Sequence, residues 1–120
     1  MNHDTDDDRM TTAEQLAGHE PRAAAEAFHA IACDDEVGDE IRLSAAEQLA
    51  ALGSPAAAQA CLAIACDDNV GDEVRLSAAE LLPAVDPSAA AQACLAIARD
   101  DNVGDEVRLS AAELLPARTP

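Results

Sequence analysis

The sequence predicts an all-α fold, a right-handed α-solenoid of seven helices. Three observations lead there. First, the chain superposes on itself at a shift of 33: Asp34 with Asp67 and Asp100, Gly38 with Gly71 and Gly104, Arg42 with Arg75 and Arg108. A fixed period of 20–50 residues marks a repeat array. Second, DDNVGDEVRLSAAELLP stands unchanged at 67–83 and at 100–116. Third, 49% of the residues are hydrophobic, yet there is one Phe, no Trp and no Tyr, and alanine dominates. Alanine is the best helix former but buries little area. A core made of it is thin and brings helix backbones close together.

The elements follow in order. Arg9–Ala17 (RMTTAEQLA) aligns with a segment one period later, Arg9 with Arg42 and Leu16 with Leu49. A half unit, 6–20, therefore precedes three whole units, 21–53, 54–86 and 87–117, within a single domain, 1–120. Each whole unit reads as two helices. In the second unit, Ser54 is a good N-cap and Pro55 a good first helical residue; Asp86 and Pro87 repeat the device. Cys61, Leu62 and Ala65 form an apolar stripe. The turn DDNVG then ends the helix. Gly71 is expected to supply backbone freedom, Asp72 to cap the next helix, and Glu73 to favour its first turn. In the second helix, Val74, Ala78, Leu81 and Leu82 share a face. Pro83 and Pro116 are expected to shorten or kink it. The first unit lacks that proline, so its second helix should reach about Leu52 and stop at Gly53.

The segment VRLSAAELL (Val74–Leu82), behind an Asp-rich turn, resembles the HEAT-like repeats, including the short form of the phycobilisome lyases. The matching positions are Val74, Arg75, Ala78, Ala79 and Leu82. Their copies are Ile41, Arg42, Ala45, Ala46 and Leu49, and Val107, Arg108, Ala111, Ala112 and Leu115. The resemblance implies a protein-binding scaffold, with a few enzymes among its members. It also implies a ladder in which turn Asp and helix Arg join neighbouring units. Here Asp68 precedes Arg75 by seven residues, one more than the usual spacing.

The formal charge is −17, and all seven basic residues are Arg. Nucleic-acid binding needs a basic footprint, which is missing, and anionic membrane surfaces repel such a chain. No apolar run approaches the ~20 residues of a membrane span. The N-terminus, MNHDTDDDRM, is acidic where a secretory leader would be basic and then apolar. A cytoplasmic protein, or a piece of a larger one, is the expectation.

Candidate chemistry is sparse. Cys33, Cys66, Cys61 and Cys94 show no metal-ligand spacing. Equivalent positions in neighbouring units lie about 8–10 Å apart by helix spacing, too far for a disulfide. They read as small buried filler. Asp67–Asp72 resembles a calcium loop, but Gly is fifth rather than sixth and no bidentate Glu follows. It reads as a capping turn. His3, His19 and His29 form no repeated pair, and Ser44, Ser77 and Ser110 recur as small helix residues. No catalytic, cofactor or metal residue is assigned, and no enzyme activity is expected.

The most informative surface lies on the second helices. Glu40, Leu43 and Glu47 share a face at i, i+3 and i+7; Glu73, Leu76 and Glu80, then Glu106, Leu109 and Glu113, repeat it. In a stack these make an acid–leucine ribbon suited to a basic amphipathic segment of a protein partner. The competing reading is that the leucines pack between units and the acids only face water. Two further function classes stay open: a lyase-like or small-ligand-handling enzyme, and a structural or oligomerisation spacer within a larger regulatory protein.

The two ends differ. Asp8, Thr11, Thr12 and His19 stand where Ile41, Ser44, Ala45 and Leu52 stand one unit later, a polar edit suited to an array end. The last unit has no such edit. Its outward side should expose Ala and Leu, either because a longer array was cut or because another chain covers it. Self-association through that unit is expected on both accounts.

Overall fold

Seven helices follow one another among the described residues: α1 (Asn2–Ala17), α2 (Pro21–Ala32), α3 (Asp39–Ala51), α4 (Ala56–Ala65), α5 (Asp72–Val85), α6 (Pro87–Ala98) and α7 (Asp105–Leu114). The structure is a computed structural model that describes residues 2–115, with side chains from residue 6 onward. Each helix packs on the next and on the next but one. The chain is thus an all-α solenoid with α1, α3, α5 and α7 in one layer and α2, α4 and α6 in the other. Its Cα extents, 46 × 32 × 14 Å, are those of a flat stack.

The core is one continuous seam between the layers. α4 contributes Ala57, Ala60, Cys61, Ile64 and Ala65, and α6 repeats most of that set. In α2, Phe28 occupies the place of Cys61 and Cys94, so the one aromatic fills the first unit. The facing stripe of α5 is Arg75, Ala78, Ala79 and Leu82, at i, i+3, i+4 and i+7. This corrects the expected face. Val74 and Leu81 are only half-buried, and the helix is turned so that an arginine, 3% exposed, enters the seam. Val37, Val70 and Val103 in the turns are also buried, which spacing along the helices did not indicate.

The turns work differently from expectation. Gly71 has φ −60° and ψ 149°, which any residue adopts, so backbone freedom is not its use. Asp72 does not cap its own helix. Its carboxylate accepts from the backbone N–H of Gly104 in the next unit at 2.9 Å. Asp39 does the same with Gly71 at 2.9 Å, and Asp6 with Gly38 at 3.5 Å. Gly53 is the position that does need glycine, with φ +69° directly after α3. Asp86 caps α6 as expected, accepting from Ser88 and Ala89 N–H. Ser54 Oγ accepts from Ala56 N–H at 3.1 Å, and α4 begins there, after Pro55.

Pro83 lies inside α5, which runs on to Val85. The proline removes one i→i−4 bond without ending the helix. Asp86 then serves as both the C-cap of α5 and the N-cap of α6, so the junction is a single residue. Pro116 lies outside the described residues.

A second ladder runs through the arginines. Arg42 Nε donates to Ala32 O at 2.8 Å, tying the end of α2 to α3, while its NH1 donates to Asp67 Oδ2 of the next unit at 3.0 Å. Arg75 repeats this with Ala65 O and Asp100 at 2.8 and 2.9 Å. Arg9 reaches Asp34 at 3.0 Å. The ladder therefore joins neighbouring units, as the resemblance implies, but through Asp67 rather than Asp68. The second oxygen of each aspartate accepts from the backbone N–H two residues on, of Glu36, Asn69 and Asn102.

These contacts hold all three carboxyls below the usual aspartate range. The Asn69 N–H is the main cause at Asp67, the Arg75 guanidinium at Asp100, and the Glu36 N–H at Asp34. Unfolded aspartates titrate near 3.9. The ladder's contribution is therefore whole above about pH 4 and is lost as pH falls through the folded values.

Asp67→Asn removes one such titration. Its stability, followed by circular dichroism, should fall less steeply than that of wild type as pH drops below about 4. Arg42→Ala strands a buried carbonyl and breaks the inter-unit pair, and should cost about 2–4 kcal/mol in urea unfolding. Arg9 is one-third exposed. Arg9→Ala should cost well below that figure, and equal losses would contradict this account.

Candidate functional site

The structure puts the nine ribbon residues on successive helices of one layer: Glu40, Leu43 and Glu47 on α3, Glu73, Leu76 and Glu80 on α5, and Glu106, Leu109 and Glu113 on α7. All six glutamates are exposed. The leucines differ among themselves. Leu43 and Leu76 are half-buried and packed against the core, whereas Leu109 is 60% exposed. The difference follows position. α3 and α5 each have a following helix of the same layer packed on them, and among the described residues α7 has none. The ribbon is thus a row of free carboxylates beside leucines that are partly sunk in the stack.

The cysteines divide in two. Cys61 and Cys94 are buried, consistent with small apolar filler. Cys33 and Cys66 are exposed, which corrects the reading of all four as buried. They are the C-caps of α2 and α4, one position past the buried Ala32 and Ala65, so the helical rotation carries them off the core stripe. All four are free thiols. Burial pushes Cys61 up to about 11, and the nearby charge of Glu47 adds to it. Burial also raises Cys33, Cys66 and Cys94; Arg42 and Arg75 pull the first two part of the way back. None is poised as a thiolate nucleophile. Cys33 Sγ lies 3.5 Å from His29 Nε2.

In the turns, both oxygens of Asp34, Asp67 and Asp100 are engaged, one by arginine and one by a backbone N–H. Such carboxylates are occupied in holding the fold. Among the described residues no group of three or more His, Cys, Asp or Glu is placed to hold a metal ion. His19 is exposed in the turn after α1. A groove of about 500 Å³ runs between α2 and α4, lined by Arg22, Glu26, His29 and Gln59 among smaller residues. The repeat pattern could not point to it, because Arg22, Glu26 and His29 have no copies in the later units.

Among the described residues no helix is long and apolar enough to cross a membrane. The stacked hairpins, the inter-unit ladders and the absence of strands among the described residues define a helical repeat scaffold. A family model for HEAT repeats matches residues 1–83, and the chain belongs to that family. HEAT repeats typically serve as protein-interaction scaffolds. Neither a curated protein nor a solved structure matches the chain.

The cysteine environments have a direct chemical readout. With a chromogenic disulfide reagent at pH 8, Cys33 and Cys66 of the folded chain should react within minutes. Cys61 and Cys94 should react only as the chain opens, and urea should merge the two phases. Four equally fast thiols would contradict the burial described.

Proposed function

We propose that the chain is a protein-binding scaffold whose docking surface is the outer face of α3, α5 and α7, and whose partner is a basic amphipathic segment. The division into a half unit, 6–20, and units 21–53, 54–86 and 87–117 is part of this reading, since each unit then offers one Glu–Leu–Glu triplet. One observation carries it: six exposed glutamates recur at a period of 33 on three helices of one layer. Repeated like charges in register add their attraction for an opposite partner and steer its approach. The half-buried Leu43 and Leu76 leave apolar edges between them, and Leu109 adds a full side chain.

The net charge of −17 accords with a basic partner and disfavours nucleic acid. The reading includes no catalytic centre.

The test uses an 18-residue helical peptide with arginine on one face and leucine on the other. The full chain should bind it with an affinity that falls steeply as salt rises. Changing Glu40, Glu47, Glu73 and Glu80 together to Gln leaves the core untouched and should weaken binding by tenfold or more, at about 0.5 kcal/mol per exposed pair lost. Calorimetry that finds the quadruple variant and wild type equal would refute the ribbon, while a matched set of Gln substitutions at Glu14, Glu26, Asp35 and Asp68 controls for charge alone.

A further inference from the structure

The end of α2 brings together two soft donor atoms that the repeat does not require. His29 and Cys33 stand at i and i+4, so they share a helix face, and Cys33 Sγ lies 3.5 Å from His29 Nε2. Cys33 is the C-cap of α2, exposed and free. His29 is half-buried at the edge of the groove between α2 and α4. Neither side chain takes part in the ladders that join the units.

The later units show what the stack itself needs at these two places. One period on, the pair is Leu62 and Cys66; two periods on, it is Leu95 and Arg99. Helices, turn and arginine bonds form in all three units, so packing does not call for an imidazole against a thiol. Cys66 is likewise an exposed C-cap with a free thiol, but it has a leucine where Cys33 has a histidine. The chain thus carries its own control.

The separation of the two atoms fits a metal between them. Zinc binds thiolate sulfur at about 2.3 Å and imidazole nitrogen at about 2.0–2.1 Å, and a tetrahedral angle between those bonds sets sulfur and nitrogen about 3.5 Å apart. That is the separation found. Exposed carboxylates flank the pair: Glu26 lies one turn before His29, and Asp35 and Glu36 follow Cys33 in the turn. Arg22, on the wall of the same groove, and Arg42, whose charge reaches Cys33, are the opposing groups in a chain of net charge −17. A negative field of that size raises the local concentration of cations.

We propose that His29 and Cys33 bind zinc through Nε2 and Sγ, with water in the two remaining positions. As the sulfur–zinc bond forms, the thiol proton passes to solvent. Nε2 gives its lone pair, and the ring proton stays on Nδ1. No third His, Cys, Asp or Glu joins them among the described residues. Half of the shell is therefore open, unlike a closed structural site, and the ion is exchangeable. The site lies in the layer opposite the ribbon and does not depend on that reading.

The probe is zinc chloride, titrated into the full reduced chain over an excess of magnesium that occupies loosely attracting carboxylates. Thiol reactivity toward a chromogenic disulfide reagent is followed, and the modified cysteine is located by peptide mapping. Zinc should slow Cys33 by about tenfold or more, because the bound sulfur is no longer free to attack, and should leave Cys66 at its metal-free rate. His29→Leu installs the residue that the next two units carry at that place, so its circular dichroism should match wild type. Its Cys33 should need about tenfold more zinc for the same protection. Cadmium in place of zinc should give a thiolate charge-transfer band in wild type that is largely lost in Cys33→Ser.

Three results would overturn the proposal: equal protection of Cys33 and Cys66, unchanged protection in His29→Leu, or no protection up to about 1 mM zinc. Each would leave the contact as a thiol–imidazole hydrogen bond. The Gln variants of the ribbon glutamates on α3 and α5 should hold zinc as wild type does, so the two sites stand or fall separately.

Discussion

One side chain per unit holds the stack in register. The arginines of α3 and α5, Arg42 and Arg75, enter a seam otherwise built of alanine, leucine and isoleucine, and there each meets two oxygens from two places. The carbonyl of Ala32 or Ala65 belongs to the end of the preceding helix in its own unit; the carboxylate of Asp67 or Asp100 belongs to the turn of the next. A guanidinium is planar and always charged, so it can bridge two fixed acceptors at once. Burying it is tolerable because both sets of donors are used, and no buried side-chain N or O among the described residues lacks a partner. The turn carboxylate is fixed in return by the backbone N–H two residues on. Helix end, turn and neighbouring unit thus form one connected network.

That network matters more here than in a larger core. The fully buried side chains of any size are few: Phe28, Ile31, Leu49, Ile64, Leu82, Ile97, Cys61 and Cys94. Between them lie alanines, which let helices approach closely but specify little about which helix slides where. Polar contacts with strict geometry supply the register that small, nearly interchangeable side chains do not. The Asp–Gly contacts add a second tie on the same side of each junction.

The same logic sets the character of the surface. With arginine drawn inward at Arg42 and Arg75, most acidic residues face water without a basic neighbour. Glutamates on α3, α5 and α7 are exposed at every repeat, and the charge of −17 is carried on the outside of a flat stack. A surface of this kind carries a negative field that extends into the surrounding solvent. The half-buried Leu43 and Leu76 show how much of the ribbon is shared with the core, since each is covered in part by the unit that follows.

Much of this was present in the linear chain. The shift of 33, the alanine excess and the proline and aspartate caps at Ser54–Pro55 and Asp86–Pro87 determined the number of helices, their order and the α3 stop at Gly53. Those are local properties: helix propensity, capping and backbone conformation act over a few residues. Which side of each helix faces inward was decided only in three dimensions. Arg75 lies outside the apolar face that spacing marks on its helix, and only a carbonyl and a carboxylate converging from elsewhere bring it into the seam. Asp72 reads as a cap until a glycine N–H from the next unit lies nearer its use. Cys33 and Cys66 match their buried counterparts in type, and one step of helical rotation puts them in water. Spacing along a chain reports periodicity, but burial and partnership depend on groups 25 and 32 residues away, and only packing brings those together.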